Sequence, residues 1–197
     1  MRELTRERKK RVAEKRWWEF LWMALQNVVS AKYAFVLHTA NPLTGNKDEM
    51  LGEVVLGLGE TLVSNTPGRA FSFKCGRDGS NLEIMSAPSK RTALYSPSAD
   101  AVIARSDSNA EDLEGFAGAG LYDSVIVGAD EGALSVEVDY AEEPLLWDKG
   151  FQTSLVNQLA AVGVAIETAF AGQPQDIEGA LDADGNLWVV QARPEIL

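Results

Sequence analysis

The chain has 197 residues, of which 46% are hydrophobic, and this composition is typical of a soluble globular protein with a substantial core. Its formal net charge of -11 argues against general nucleic-acid binding, and it means that an anionic ligand would need arginine, a metal ion or backbone N–H groups. No apolar run is long enough to span a bilayer, so no membrane partner is expected. Cys75 is the only cysteine, which excludes an internal disulfide and favours a reducing compartment.

The start of the chain is basic and rich in tryptophan. Residues 1–16 carry eight Lys and Arg against three Glu, a net charge of +5. A basic arm for a nucleic acid or a membrane surface is one interpretation, and a solvated basic helix face is the simpler one. From "WWEFLWMALQNVV" the apolar residues recur at three-to-four spacing, which predicts a helix over about residues 5–29. We therefore assign residues 1–25 as a helical lead-in and residues 26–197 as one domain.

A series of short β-strands follows. The segment from Tyr33 to Leu37 is β-rich, and the turn-forming "NPLTG" comes soon after it. Gly52, Gly57 and Gly59 interrupt the strand-like "GEVVLGLGETLV", which indicates either bulges or the close approach of another group to the backbone. "RAFSFKC" and "LEIMS" predict two strands joined by a polar turn, and "AVIARSD" predicts a strand that presents Arg105 at its end.

Arg105 opens a long acidic loop, "RSDSNAEDLEGFAGAGLYDSV", which has few apolar residues to bury. Arginine and serine side chains can bind a phosphate, acids can cap turns or orient the arginine, and glycines let the backbone approach a ligand. A purely structural loop could share this composition. If the loop instead surrounds a phosphate as a cradle, the residues that would form this phosphate cradle are Arg105, Ser106, Asp107, Ser108, Glu111, Asp112, Gly115, Gly118 and Gly120.

The clearest helix is "QTSLVNQLAAVGVAIETAF". Its apolar residues recur every three or four positions and form one stripe: Leu155, Leu159, Val162, Ile166 and Phe170. Thr153 and Ser154 are candidate N-caps, and Gly172 is predicted to end the helix.

The last element, "DIEGALDADGNLWVVQARP", predicts a β-hairpin, because Asp184-Gly185 is typical of a two-residue turn. With that turn, Glu178 lies directly opposite Gln191, and Arg193 lies on the same face two residues further on. The other face carries the apolar Trp188, Val190 and Ala192. A carboxylate and an amide oxygen suit Mg²⁺, and an adjacent arginine suits a phosphate. The alternative is an ordinary salt-bridged surface hairpin, because the register could slip with a longer loop.

Taken together, "YAFVLHTANPLTG", "GLGETLV", "PGRAFSF", "RSDSNAEDLEGFAGAGLYDSV", "QPQDIEG" and "VVQARP" closely resemble the C-terminal nucleotide-binding domain of α-glucan water dikinases. The same segments resemble phosphoenolpyruvate synthase and pyruvate phosphate dikinase more distantly. The resemblance runs from about Gln26 to Pro194. It implies an α+β, ATP-grasp-like nucleotide-binding fold in which two subdomains clamp ATP and Mg²⁺, here expected to be incomplete at the N-terminal subdomain.

The resemblance also implies a reaction and a set of roles. The β-phosphate of ATP passes to a histidine on a separate domain and then to a glucose unit of starch, while the γ-phosphate passes to water and AMP is released. Arg105, with Ser106, would bind phosphate, and Glu178 and Gln191 would hold Mg²⁺. Arg193 would stabilise the charge that develops on transfer, so the two arginines are the candidate catalytic residues. Such chemistry depends on positioning and positive charge.

The phosphate-carrying histidine of that family is absent from these 197 residues. His38 lies in "FVLHTANP", which does not match the phosphohistidine motif, and we expect it to be structural or ligand-lining. The expected partners are therefore ATP, upstream phosphohistidine and starch-binding domains and, indirectly, α-glucan. A plastid location is expected by likeness, although no transit peptide is visible. The alternatives are a stand-alone or degenerate ATP-binding module without transferase activity, or part of an enzyme like phosphoenolpyruvate synthase or pyruvate phosphate dikinase.

Overall fold

The structure is a computed structural model, and it describes residues 22–63, 66–96, 101–107, 124–127 and 133–195. The chain forms two compact units, one of residues 1–28 and 97–132 and the other of residues 29–96 and 133–197. The division between a lead-in of residues 1–25 and a domain of residues 26–197 stays a prediction. In chain order the described elements are β1 Trp22–Asn27, β2 Ala31–His38, β3 Glu49–Leu56, α1 Glu60–Val63, β4 Phe71–Gly76, β5 Glu83–Ser86, β6 Thr92–Tyr95, β7 Val102–Asp107, β8 Ser124–Val127, β9 Leu134–Glu137, α2 Pro144–Trp147, α3 Lys149–Ala169, β10 Gln175–Asp182 and β11 Leu187–Pro194.

The smaller unit contains an antiparallel sheet in the order β1-β7-β8. The helix predicted over residues 5–29 is wrong at its end, because Trp22 to Asn27 form β1. Every residue of β1 has a partner in β7, so a ladder with residues about 80 positions away overrides the local helical spacing. Residues 1–21 lie outside the described residues, and a helix there stays a prediction.

The larger unit is built on a six-stranded antiparallel sheet in the order β11-β10-β2-β3-β4-β5, and β6 and β9 pair separately. The strands predicted near residues 33–37, 69–75 and 82–86 are confirmed as β2, β4 and β5. Helix α1 replaces the strand-like end of "GLGETLV". The unit thus mixes helices with mostly antiparallel sheet, which confirms the α+β class at this level. None of the described helices is long and apolar enough to cross a membrane.

One face of this sheet packs against α3, and we call it the covered face. Alternate residues of β2 point to it, and Tyr33, Phe35 and Leu37 are all buried. Gly52 of β3 lies on the same face, where a Cβ would collide with the ring of Phe73. The predicted close approach to a strand glycine is therefore confirmed at this position.

Helix α3 closes the core over that face. Leu155 and Leu159 of the predicted stripe are buried, Val162 and Ile166 are half-buried, and Phe170 is 44% exposed. The core cluster also contains Val156 and Ala160 of α3, so the buried stripe is wider than the spacing alone predicted.

The ends of α3 differ from the prediction on one side and match it on the other. The N-cap is Asp148, whose Oδ1 accepts from the N–H groups of Gly150 and Phe151. Thr153 and Ser154 are therefore not the caps, because the helix starts one turn earlier at Lys149. At the other end Gly172 has a left-handed φ of 77° and donates to the carbonyl of Glu167, which confirms it as the stop.

The opposite face of the sheet, which we call the polar face, carries the candidate site. Its residues alternate with those of the covered face along β2, β3, β10 and β11, and they include Val36, His38, Leu51, Glu53, Asp176, Glu178, Gln191 and Arg193. At one end of this face Ala34, Val55 and Ala70 form a small buried cluster with Leu62 of α1. The charged residues lie at the other end.

Candidate functional site

The core of the candidate site is one rung of the β10–β11 hairpin. Glu178 is directly opposite Gln191, as the sequence predicted, and both residues are half-buried. On an antiparallel ladder, residues directly opposite each other point to the same face with neighbouring Cβ atoms. Arg193 lies on that face two residues further along β11, where it is opposite Asp176. A carboxylate, an amide and a guanidinium therefore converge on the polar face.

The turn that produces this rung differs from the predicted one. Asp182 donates its N–H to the carbonyl of Asn186, and the N–H of Gly185 returns to the carbonyl of Asp182. The loop thus has three residues, Ala183 to Gly185, and Gly185 takes the left-handed φ of 84° that such loops require. The two-residue turn is therefore wrong, and by itself this would shift the register by one.

A β-bulge restores the register. The ladder shifts between Glu178 and Gly179, because Gly179 is opposite Val189 whereas Glu178 is opposite Gln191. Val190 is then the extra residue on β11, which is what a bulge contributes. The three-residue loop and the bulge shift the register in opposite directions and cancel. Glu178 therefore still pairs with Gln191, although the two-residue turn on which the prediction was based does not form.

The bulge also moves Trp188 to the polar face, since Trp188 is opposite Ala180 and Ala180 shares the face of Glu178. The prediction that Trp188 belongs to the apolar face is wrong for this reason. Its indole Nε1–H donates to Oδ2 of Asp182 at 2.9 Å, and 49% of the residue is exposed. Hydrogen bonds from Trp188 and Asn186 lower the pKa of Asp182.

Arg193 is held by a carboxylate that the sequence interpretation missed. Its Nε and Nη2 both lie 2.9 Å from Oδ2 of Asp176, whose side chain is only 14% exposed. The signal was present in the sequence, because the register that pairs Glu178 with Gln191 also places Asp176 opposite Arg193.

His38 adds a second basic group to this end of the face. It is opposite Asp176 in the β2–β10 ladder, and its Nδ1 lies 2.9 Å from Oε1 of Glu195 and 3.9 Å from Oδ1 of Asp176. Burial lowers the pKa of His38, but the close Glu195 carboxylate and the charges of Asp176 and Glu53 outweigh it and raise the pKa overall. The pairing of β2 with β10 could not be read from the sequence.

The donor set on this face fits a hydrated magnesium ion. Glu178 and Gln191 supply a carboxylate and an amide oxygen from opposite positions of one rung. Among the described residues, no group of three or more His, Cys, Asp or Glu forms a metal cage. Mg²⁺ commonly takes only one or two protein oxygens and completes its shell with waters and substrate phosphates. One carboxylate oxygen and one amide oxygen match this usual coordination of Mg²⁺ better than the coordination preferred by zinc or calcium.

Arg105 and Ser106 lie on β7, in the smaller unit. The predicted strand is confirmed, but it runs on to Asp107, so the prediction that Arg105 lies at the strand end is wrong. Arg105 lies within β7, between Ala24 of β1 and Ser124 of β8. The acidic loop that follows, residues 108–123, lies outside the described residues. Its role as a phosphate cradle stays a prediction, and so do the phosphate-binding roles of Arg105 and Ser106.

A family model described as "Pyruvate phosphate dikinase, AMP/ATP-binding domain" matches residues 8–197. The chain is 51% identical over 175 residues to "Alpha-glucan water dikinase 2" of Arabidopsis thaliana, covering 87% of this chain and 13% of that protein. It is 46% identical over 181 residues to the chloroplastic alpha-glucan water dikinase of Solanum tuberosum, covering 90% of this chain and 12% of that protein. A phosphoenolpyruvate synthase of Aeropyrum pernix is 28% identical over 183 residues, which is 88% of this chain and 20% of that protein.

The chain thus spans about an eighth of the length of the glucan water dikinases that it matches. The match to the family model, by contrast, covers nearly the whole chain. It includes both strands of the hairpin and the β7 strand that carries Arg105. The chain therefore belongs to the family of pyruvate phosphate dikinase AMP/ATP-binding domains.

Proposed function

We propose that this chain is the ATP-binding part of an α-glucan water dikinase with an ATP-grasp arrangement. The β-phosphate of ATP passes to a histidine on another domain and from there to glucan, while the γ-phosphate passes to water and AMP is released. The glucan acceptor is supported by the identities of 46–51% to alpha-glucan water dikinases, against 26–30% to the phosphoenolpyruvate synthases. The name "chloroplastic" of several relatives supports a plastid location.

One observation carries the proposal, namely the rung that sets Glu178 opposite Gln191 with Arg193 two residues along on the same face. Glu178 and Gln191 would hold Mg²⁺. When bound, Mg²⁺ neutralises charge on the phosphate oxygens and orients them. Both side chains start from a paired ladder inside a six-stranded sheet, so their separation is fixed by the backbone rather than by a loop.

Arg193 would bind the phosphate that is transferred. Its guanidinium has five N–H groups in a planar fork, which suits the oxygens of a phosphoryl group. In the structure the fork contacts Asp176 through Nε and Nη2, so Asp176 holds the side chain on the polar face. Arg105 and Ser106 would supply further phosphate contacts from β7.

His38 is not suited to carry the phosphoryl group itself. Its imidazole lies between the carboxylates of Glu195 and Asp176, and two acids beside it would repel an incoming phosphate. The phosphate carrier therefore belongs to another part of the enzyme in this proposal. Direct transfer from ATP to a sugar hydroxyl would need a general base in line with the phosphorus, and no described residue is assigned that role.

Titration calorimetry of the 197-residue chain with Mg-ATP tests the binding function. Glu178→Gln removes the negative charge of the carboxylate, and Gln191→Leu removes the amide oxygen. Both should weaken binding of Mg-ATP much more than binding of ATP in the presence of a chelator. Asp184→Asn, on the exposed turn of the same hairpin, is the control and should bind as the unchanged chain does. Equal Mg-ATP affinities for all four proteins would overturn the proposed site.

Label transfer tests the catalytic function. We expect no label on washed glucan when the chain alone is incubated with ATP labelled at the β-phosphate, Mg²⁺ and starch. Addition of a separate polypeptide carrying the phosphohistidine domain should give label, and Arg193→Ala should abolish it. Label from this chain alone would contradict the relay through another domain. A chain that binds ATP but never supports labelling would instead favour a module without transferase activity. Label on pyruvate rather than glucan would favour the phosphoenolpyruvate synthase type.

A further inference from the structure

Three buried polar atoms gather at one end of the polar face. Nδ1 of His38, Oδ1 of Asp176 and Oε1 of Glu195 are all buried and none makes a well-formed hydrogen bond. They nevertheless lie close together, with Nδ1 of His38 2.9 Å from Oε1 of Glu195 and 3.9 Å from Oδ1 of Asp176. Buried polar atoms are costly unless they are compensated, so a cluster of them on a sheet face that carries a candidate site calls for a functional account.

The two oxygens of Asp176 are divided between two basic side chains. Oδ2 accepts from Nε and Nη2 of Arg193, whereas Oδ1 faces His38. Asp176 therefore forms the link in a row of alternating charge that runs from Arg193 through Asp176 and His38 to Glu195. If Arg193 turns from Asp176 to a phosphate, Asp176 is left as a mostly buried carboxylate without its arginine, which is unfavourable.

We propose that His38 is a positioning residue for Arg193. When Arg193 turns to a phosphate of the bound nucleotide, the protonated imidazole of His38 compensates the negative charge of Asp176. The proposal rests on the proposed function, because it takes Arg193 as the phosphate-binding arginine. His38 touches neither the nucleotide nor the reacting atoms in this scheme. It acts through Asp176 alone, and it lowers the free energy needed to release the guanidinium.

The charges around His38 give the direction of the effect. Asp176 on β10, Glu195 after β11 and Glu53 on β3 are all acidic, and together they raise the pKa of His38 despite its burial. Arg193 is the cation that shares Asp176 with it. Binding of Mg-ATP should therefore be tighter at pH values where His38 is protonated, and it should weaken as the pH rises through the pKa of His38. By linkage, bound nucleotide should raise that pKa.

The first test needs no nucleotide. His38 is the only histidine in the chain, so the NMR signals of its imidazole titrate without ambiguity. Arg193→Gln should raise the pKa of His38, because Asp176 loses its other cation, and Asp176→Asn should lower it. Arg91→Gln, at an exposed arginine before β6, is the matched control and should leave the pKa unchanged. An unchanged pKa in both Arg193→Gln and Asp176→Asn, with spectra of folded proteins, overturns the coupling.

The second test measures Mg-ATP affinity between pH 6 and 9 for the unchanged chain and for His38→Gln. The affinity of the unchanged chain divided by that of His38→Gln should fall about fivefold as the pH rises through the pKa of His38. This size is expected for one charge pair at a partly exposed site. Titration of the nucleotide itself is common to both proteins and cancels in the ratio. His38→Lys keeps a positive charge and should keep tight binding at the upper end of the range. A constant ratio overturns the proposal.

The outcomes separate this inference from the proposed function. If Arg193→Ala binds Mg-ATP as tightly as the unchanged chain, the phosphate role of Arg193 fails and the inference fails with it. If Arg193→Ala binds weakly while His38→Gln follows the pH profile of the unchanged chain, only the role of His38 is overturned.

Discussion

The two faces of the six-stranded sheet are made by the same strands and differ in what determines them. On the covered face Phe35, Leu37 and Phe73 are at most 2% exposed and pack under α3. On the polar face, at the same strand positions shifted by one, His38 and Asp176 are half-buried and contact other charged groups. The covered face depends on volume and burial, whereas the polar face depends on which residues are directly opposite one another. Changes to the first should affect folding, and changes to the second should affect binding.

The largest effect is expected on the covered face. Phe73→Ala removes a fully buried ring that packs on Gly52, and it should lower the free energy of unfolding by about 3–5 kcal/mol, which includes the cost of the cavity. Urea unfolding followed by circular dichroism measures this. Leu43→Ala, at a leucine that is 80% exposed, is the control and should change the value by less than about 0.5 kcal/mol. Similar losses for the two variants would show that the covered face is not the core.

For the two candidate phosphate-binding arginines, Arg193 on the polar face and Arg105 on β7, the expected loss is in binding. Arg193→Ala and Arg105→Ala should each weaken Mg-ATP binding by about 1–3 kcal/mol, the usual range for a lost charge-assisted hydrogen bond. Calorimetry on the 197-residue chain measures the affinities, and Arg91→Ala is the matched control on an exposed arginine. Affinities that are unchanged in both Arg193→Ala and Arg105→Ala would count decisively against the phosphate-binding assignment. A loss for Arg193 alone would limit the site to the larger unit.

The sequence predicted the covered face well, because alternation and three-to-four spacing report burial directly. β2, β4, β5 and most of the α3 stripe followed from those patterns. It failed at β1, where the strand conformation comes from pairing with β7, about 80 residues away. A local pattern carries no information about such a distant partner, and helical spacing in a short apolar run is then a weak guide.

The polar face was predicted only where the local hairpin determined it. The pairing of Glu178 with Gln191 was right, although the loop has three residues and a bulge at Val190 compensates it. Trp188 was assigned to the wrong face because that bulge leaves no mark in a binary apolar pattern. Asp176 could have been found from the predicted register. His38 and Glu195 could not, since their meeting requires the pairing of β2 with β10.

A smaller effect is expected where α3 begins. Asp148→Ala removes the oxygen that accepts from Gly150 and Phe151, so it should lower the free energy of unfolding by about 1 kcal/mol. Thr153→Ala, at the cap position that the sequence suggested, removes only a bond back to the carbonyl of Lys149 and should cost a few tenths, roughly, of a kcal/mol. The order of the two losses in urea unfolding tests the helix start. A larger loss for Thr153→Ala would contradict a start at Lys149.

The smallest effect concerns how the contribution of His38 to the free energy of unfolding changes with pH. The pKa of His38 is raised in the folded chain above its ordinary value of 6.5, so its ion pairs stabilise the folded state fully at pH values below 6.5. That contribution is lost as the pH rises through the folded-state pKa, because the imidazole then becomes neutral in both states. The difference in free energy of unfolding between the unchanged chain and His38→Gln should therefore be largest near pH 6 and shrink towards pH 9. Its size should not exceed about 1 kcal/mol, since the side chain is partly exposed and solvent screens the pairs.

Parallel urea titrations of both proteins across this range give the difference directly. The buried Cys75, whose pKa is raised to about 11, titrates outside the range and is common to both proteins. A difference that grows with pH would mean that His38 is held neutral on this face, and its role beside Asp176 would then fail.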